Sequence, residues 1–207
     1  VGDEGRVDFS YNGIGNNENG TWKITNGAVD FGYTGTMKVG ESSENLYLYV
    51  TNGFINYDLY DVIWTSVDNE YAWWEVSGGY INKTSYDVAC NSRGWWYIAD
   101  GKVDFNYTGN AFNENGEWYI KNGQVAFDYT GILEQEYGAY YVENGRFMDE
   151  YNGVVRGVVD GVDGWWAIEN GSVEKGYDGI ECNKNGTWYY EDGKVDFNAN
   201  GTYVIRQ

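Results

Sequence analysis

The 207 residues include 42% hydrophobic side chains, enough to bury a core, with 30 Gly, 21 Tyr and 10 Trp but no Pro and no His. Aromatics and Gly suit strands and tight turns, so this composition points away from a helical protein. A formal charge of −19 repels phosphate backbones and anionic headgroups, and no run approaches the roughly 18 apolar residues of a membrane span. Nucleic acid and direct membrane insertion are thereby excluded as modes of action.

In chain order, the first recognisable element is a half unit, GRVDFSYNG, at residues 5–13. A full unit follows at Trp22–Gly35 (WKITNGAVDFGYTG), with fainter copies from Leu48 and Trp74. The two clearest copies come next, Trp96–Gly109 (WYIADGKVDFNYTG) and Trp118–Gly131 (WYIKNGQVAFDYTG). Fainter copies begin at Tyr140, Trp166 and Trp188, and TYVIRQ closes the chain as the first half of another. The turn glycines Gly5, Gly27, Gly53, Gly79, Gly101, Gly123, Gly145, Gly171 and Gly193 are spaced by 22 or 26 residues.

A unit this short cannot bury its own apolar face, so neighbouring units must stack into a continuous core. The expected fold is all-β: a repetitive β-hairpin solenoid of about eight 22–26-residue units plus partial end units, with no helices. It is read as a single module over residues 1–207, with hairpin units starting near 4, 21, 47, 73, 95, 117, 139, 165 and 187. Both ends fall inside a repeat, which reads as a monomeric fragment of a longer surface protein.

Within a unit, Asn122-Gly123 is a strong two-residue hairpin signal, because a type I′ turn needs positive φ at both central residues. This places Ile120 opposite Val125 and Trp118 opposite Phe127, on one apolar face. The same face recurs as Trp22, Ile24, Val29 and Phe31, and as Trp96, Ile98, Val103 and Phe105. These residues are expected to be structural core. A second punctuation, Tyr107-Thr108-Gly109 and then Asn113-Glu114-Asn115-Gly116, reads as the connection between hairpins. Its alternating side-chain oxygens resemble the start of a calcium loop, but the twelfth-position Glu is absent and the turn reading prevails; no metal is expected. Cys90 and Cys182 occupy equivalent positions four repeats apart and are read as free thiols, since a bridge would need the solenoid to fold back on itself.

The stretches GEWYIKNGQVAF and GTWYYEDGKVDFNANG resemble the cell-wall or choline-binding repeats of Gram-positive surface proteins, and also the repeats of clostridial toxin tails and glucan-binding enzymes. The resemblance covers essentially the whole chain. It implies stacked aromatic hairpins used for attachment at the cell surface or after secretion. In choline-binding repeats a Gly-Trp step gives one aromatic wall of the cage around the quaternary ammonium. The matching positions here are Ile14, Thr36, Asn110, Ile132, Val154 and Ile180. Without that wall, a cation–π cage of the family's kind does not close.

Three features exceed what the repeat needs. A second tryptophan precedes the core one at Trp73, Trp95 and Trp165, pointing to the opposite face; Trp95 shares it with Tyr97. The longer spacings place extra sequence around Lys38–Asn45, Ile63–Tyr71 and Arg156–Asp163, where Ile63-Trp64 and Val158-Val159 put apolar groups in segments expected to be exposed loops. The units at Gly53 and Gly79 are degraded, with Lys83 at the Phe position. Residues 57–97 are therefore the expected contact surface. Tyr60, Ile63, Trp64, Tyr71, Trp73, Trp95, Tyr97 and Trp165 are its candidate ligand-binding residues.

Catalysis is the weakest reading. No His can act as base or ligand, no nucleophile elbow or phosphate loop is found, and the acids Asp8, Asp30, Asp104 and Asp196 recur once per repeat instead of forming a unique pair. No cofactor is expected. The repeat irregularity favours a host protein, such as immunoglobulin or another secreted protein, as partner. The alternative is a glycan or cell-wall polymer engaged by exposed aromatics, with avidity growing with repeat number.

Overall fold

The computed structural model describes residues 6–40, 45–183 and 186–201. Gly5, the 41–44 part of the first insertion and the closing half unit at 202–207 lie outside the described residues. Among the described residues every regular element is a β-strand, and the strands pair antiparallel within repeated hairpins and between successive ones. The chain forms two compact units, Val1–Tyr107 with Asn122–Gln124, and Thr108–Lys121 with Val125–Gln207.

One repeat of the first unit shows the plan. Strands Asp87–Asn91 and Gly94–Ala99 form a five-pair ladder around Ser92-Arg93. The chain then turns at Asp100-Gly101, with φ of 49° and 76°, into the two-residue strand Lys102–Val103. Across this turn Ile98 pairs with Val103, as type I′ geometry requires. The second unit repeats the plan in Gly131–Gln135, Gly138–Glu143 and Arg146–Phe147.

This corrects the expected hairpin. The Asn-rich stretch is no mere connection, since it is the turn of the main ladder, and Trp118 lies opposite Ala111 there. The strand after the Asn-Gly turn stops after two residues, so Phe127 leaves the ladder and touches Trp118 edge-on, at 5.7 Å between ring centroids. Phe31, Phe105 and Phe127 are consequently 65%, 49% and 44% exposed and do not belong to the core. The core is carried by Ile98, Ile120, Val125 and their equivalents, with Val50, Ile98, Ile120 and Val142 fully buried. The partners' short second strand explains the error: alternation was extended one pair too far.

Stacking of units rests on the turn glycines. The N–H of each donates to a carbonyl of the preceding repeat, as Gly53 to Tyr33, Gly101 to Ser85 and Gly171 to Tyr151, at 2.8–3.0 Å. Each glycine carbonyl accepts from the same preceding repeat, as from Lys23 to Gly53, Tyr97 to Gly123 and Tyr141 to Gly171, at 2.7–2.9 Å. A Cβ on Gly171 would meet the Met148 carbonyl oxygen at 2.7 Å. Positive φ and close approach thus both demand Gly here.

The second and third longer spacings, around Ile63–Tyr71 and Arg156–Asp163, do not form loops. They extend the main ladder to seven pairs, in Asp61–Val67 with Glu70–Val76 and in Gly153–Val159 with Val162–Glu169. Strand alternation then decides exposure: Val158 is 50% exposed, while Val159 is buried.

Candidate functional site

The first long hairpin carries the densest aromatic surface. Trp64 and Trp73 are direct cross-strand partners, and Tyr71 lies diagonal to Trp64 on the same face. The Trp64 ring stacks with Tyr71 at 6.3 Å and 28°, and tilts against Trp73 at 5.8 Å. Trp73 is half-buried on the Val62–Ile98–Val103 cluster, with the Arg93 guanidinium 5.1 Å from its ring. Trp64 and Tyr71 remain 54% and 68% exposed. The pair is held rigid from beneath while its outer rings stay open to solvent.

These rings border an open cleft of about 570 Å³ within the first unit, whose other lining includes Tyr33, Thr36, Tyr49, Ser66 and Asn69. The hairpin tip is pinned over it. Tyr47 Oη donates to Asp68 Oδ2 at 2.5 Å, and Lys83 Nζ donates to the same oxygen at 2.9 Å. The Tyr47 hydroxyl is pushed up to about 12, chiefly because it hydrogen-bonds the Asp68 carboxylate. That hydroxyl, and then Lys83, holds Asp68 below the usual carboxylate range. Thr36 Oγ1 donates to the Ser66 carbonyl at 2.7 Å and ties the neighbouring hairpin to the same floor.

Lys83 thus has a structural partner at the hairpin tip. In the second long hairpin Lys175 holds the same repeat position and donates to Asp160 Oδ2 at 2.7 Å. A lysine therefore replaces the repeat's Phe at the two seven-pair ladders, where an acidic tip reaches back to meet it. The signal was present in the sequence as a Lys and an Asp fifteen residues apart in both long units, and it was missed.

Of the other expected contact residues, Tyr60 is 72% and Trp165 41% exposed. Ile63 is half-buried against the Val67–Trp74–Val76 cluster. Trp95 is half-buried opposite Cys90. Tyr97 is not an open platform, because it stacks on Tyr107 at 3.9 Å. Tyr60, Trp64 and Tyr71 belong to the first unit and Trp165 to the second.

Missed in the sequence was the job of the repeated asparagine. Asn113 Oδ1 accepts from the Asn115 N–H and from Trp118 Nε1, both at 2.9 Å. Asn91 with Trp96 and Asn183 with Trp188 do the same. The alternating oxygens serve turns and indoles. The repeated aspartates are also turn-formers: Asp104 Oδ1 accepts from the Asn106 N–H, and Asp8 is held below its usual range chiefly by the Ser10 hydroxyl. Cys90 and Cys182 are free and exposed.

A second, acidic cavity of about 480 Å³ lies in the second unit, lined by Tyr137, Tyr140 and Phe147 with Glu117, Glu136 and Asp149. Asn110, at one of the positions where the choline cage needs an aromatic wall, also lines it and donates to Glu117. At two further such positions Ile132 and Val154 are buried in the core.

A hairpin array with fixed aromatic rings and clefts, and with repeated aspartates engaged in its turns, defines a repeat-built binding module. Four segments, residues 87–104, 106–126, 128–146 and 176–196, match a family model described as a choline-binding repeat. These four segments are thus repeats of the choline-binding, cell-wall-binding-like kind, and such repeats are typical of surface and secreted proteins. No curated protein matches it.

Proposed function

We propose that this chain is a non-catalytic attachment module that holds a carbohydrate chain in the cleft of its first unit. The observation that carries the reading is the stacked, exposed Trp64–Tyr71 pair standing over a mostly polar cleft. A pyranose offers one apolar C–H face and a rim of hydroxyls. The rings supply dispersion and C–H contacts to the face, while Thr36, Ser66 and Asn69 supply donors and acceptors to the rim. Trp73, anchored beneath, limits the side-chain entropy lost on binding.

A second reading, recognition of a host protein such as immunoglobulin, draws support from the second long hairpin. There Val158, Val162 and Trp165 expose apolar surface at 50%, 44% and 41%. A glycan array and a panel of serum proteins and immunoglobulins, probed in parallel with free choline as competitor, separate the readings. The glycan reading expects saturable carbohydrate binding that Trp64→Ala weakens roughly tenfold or more, choline leaving it unchanged. Binding to a single serum protein, lost on Trp165→Ala, would replace it with the second reading.

A further inference from the structure

In three repeats the ring of the residue four before the turn glycine packs on that of the residue six after it. Tyr97 meets Tyr107 at 3.9 Å, Tyr119 meets Tyr129 at 5.2 Å, and Tyr141 meets Tyr151 at 4.5 Å. In the first long hairpin those positions hold Glu75 and Ser85. Glu75 is 7% exposed, and Ser85 Oγ donates to its Oε2 at 2.6 Å. A carboxyl group thus occupies a slot that those three repeats fill with an aromatic pair.

The slot opens on a cleft of about 480 Å³ in the first unit that Glu75 shares with Asp87, Tyr80 and Tyr86. Asp87 Oδ1 already accepts from the Val88 N–H at 2.6 Å, and Tyr86 Oη donates to Asp100. At the start of the opposing strand, Asp61 accepts from its own neighbour, Val62. The lysines on the packed elements are engaged elsewhere, Lys83 with Asp68 and Lys102 with Glu70. Among the described residues no cation lines the cleft. Two like charges in such a place are best accommodated by retaining one proton between them.

We propose that Glu75 holds a proton beside the Asp87 carboxyl group in this cleft and makes the long aromatic hairpin an acid-tightened element. Burial is the main force that raises the Glu75 carboxyl above its usual range; the Ser85 hydroxyl pulls it partly back and Asp87 pushes it up further. A folded-state value raised above the unfolded one means that the fold binds the proton more tightly. The stabilisation is complete below the unfolded value and is lost as pH rises through the folded one. Glu75 lies on the strand that carries Tyr71 and Trp73, so the aromatic face is firmest in mildly acidic surroundings.

The test has two arms on the intact chain. Carboxyl-detected NMR should show Glu75 titrating above the ordinary Glu value of about 4.3, and Asp87→Asn should move it back down. Thermal unfolding between pH 5 and 8 should show a wild-type midpoint that falls more steeply with pH than that of Glu75→Gln, and the variant should be the more stable at pH 8. Glu75 titrating at or below the ordinary value, or parallel pH profiles, would overturn the proposal. If Glu75→Gln fails to fold, the wild-type NMR titration decides alone.

Discussion

Replacing a turn glycine isolates what the inter-repeat clamp contributes. Gly171 and Gly161 lie in the same unit, both at the second turn position, with φ of 77° and 76°. An alanine at either carries the same left-handed strain, about 1 kcal/mol. At Gly161 the new Cβ meets nothing within 4 Å. At Gly171 it meets the Met148 oxygen at 2.7 Å and Asp149 Cα at 2.9 Å, both backbone atoms that cannot swing away. The turn must therefore lift off the preceding repeat, breaking the bonds from Gly171 N–H to Tyr151 O and from Tyr141 N–H to Gly171 O. At about 1 kcal/mol each, the clamp adds roughly 2 kcal/mol to the strain. Urea unfolding followed by tryptophan fluorescence should put the Gly171→Ala midpoint about 1 M below that of Gly161→Ala, for a slope of about 2 kcal/mol/M. Coincident midpoints would refute the idea that paired glycine bonds join the repeats.

Four further outcomes are expected. Asn113→Ala removes the acceptor for the Asn115 N–H and Trp118 Nε1 and should cost about 1–3 kcal/mol in denaturant unfolding, because the indole donor is left buried. Lys175→Ala breaks the exposed pair with Asp160 and should cost under about 1 kcal/mol, a difference that 0.5 M salt erases. The Tyr190 hydroxyl is buried with no partner among the described residues, so Tyr190→Phe should leave the melting temperature unchanged or raise it. Ultraviolet titration should show two tyrosines, Tyr47 and Tyr190, ionising near 12, of which Tyr47 alone falls toward 10 on Asp68→Asn, since it then loses its carboxylate partner.

Much of the fold was legible because the repeat states it many times. Asn-Gly and Asp-Gly turns at fixed spacing, with alternating Trp, Ile and Val around them, mean hairpins in almost any context. Residues whose role depends on a neighbouring strand were harder to read. Phe105 alternates like a core residue, yet the strand ends at Val103 and the ring swings out to 49% exposure. The four extra residues before Trp74 look like a loop insertion, and nothing local shows that they extend both strands by two pairs. Trp64 and Tyr71 stood out as surplus aromatics, but their diagonal stacking follows from that extended register. Glu75 drew no notice, because its surroundings come from Ser85 and Asp87, ten and twelve residues further along the chain.

The most direct test of the account follows the ten indole N–H resonances by NMR while an array-positive oligosaccharide is titrated in. Binding at one composite cleft predicts saturable shifts at Trp64, with a smaller response at Trp73, while Trp96, Trp118 and Trp188 stay fixed. Equal shifts at Trp96, Trp118 and Trp188 with none at Trp64 would mean that each regular repeat holds ligand for itself, and the cleft assignment would fall.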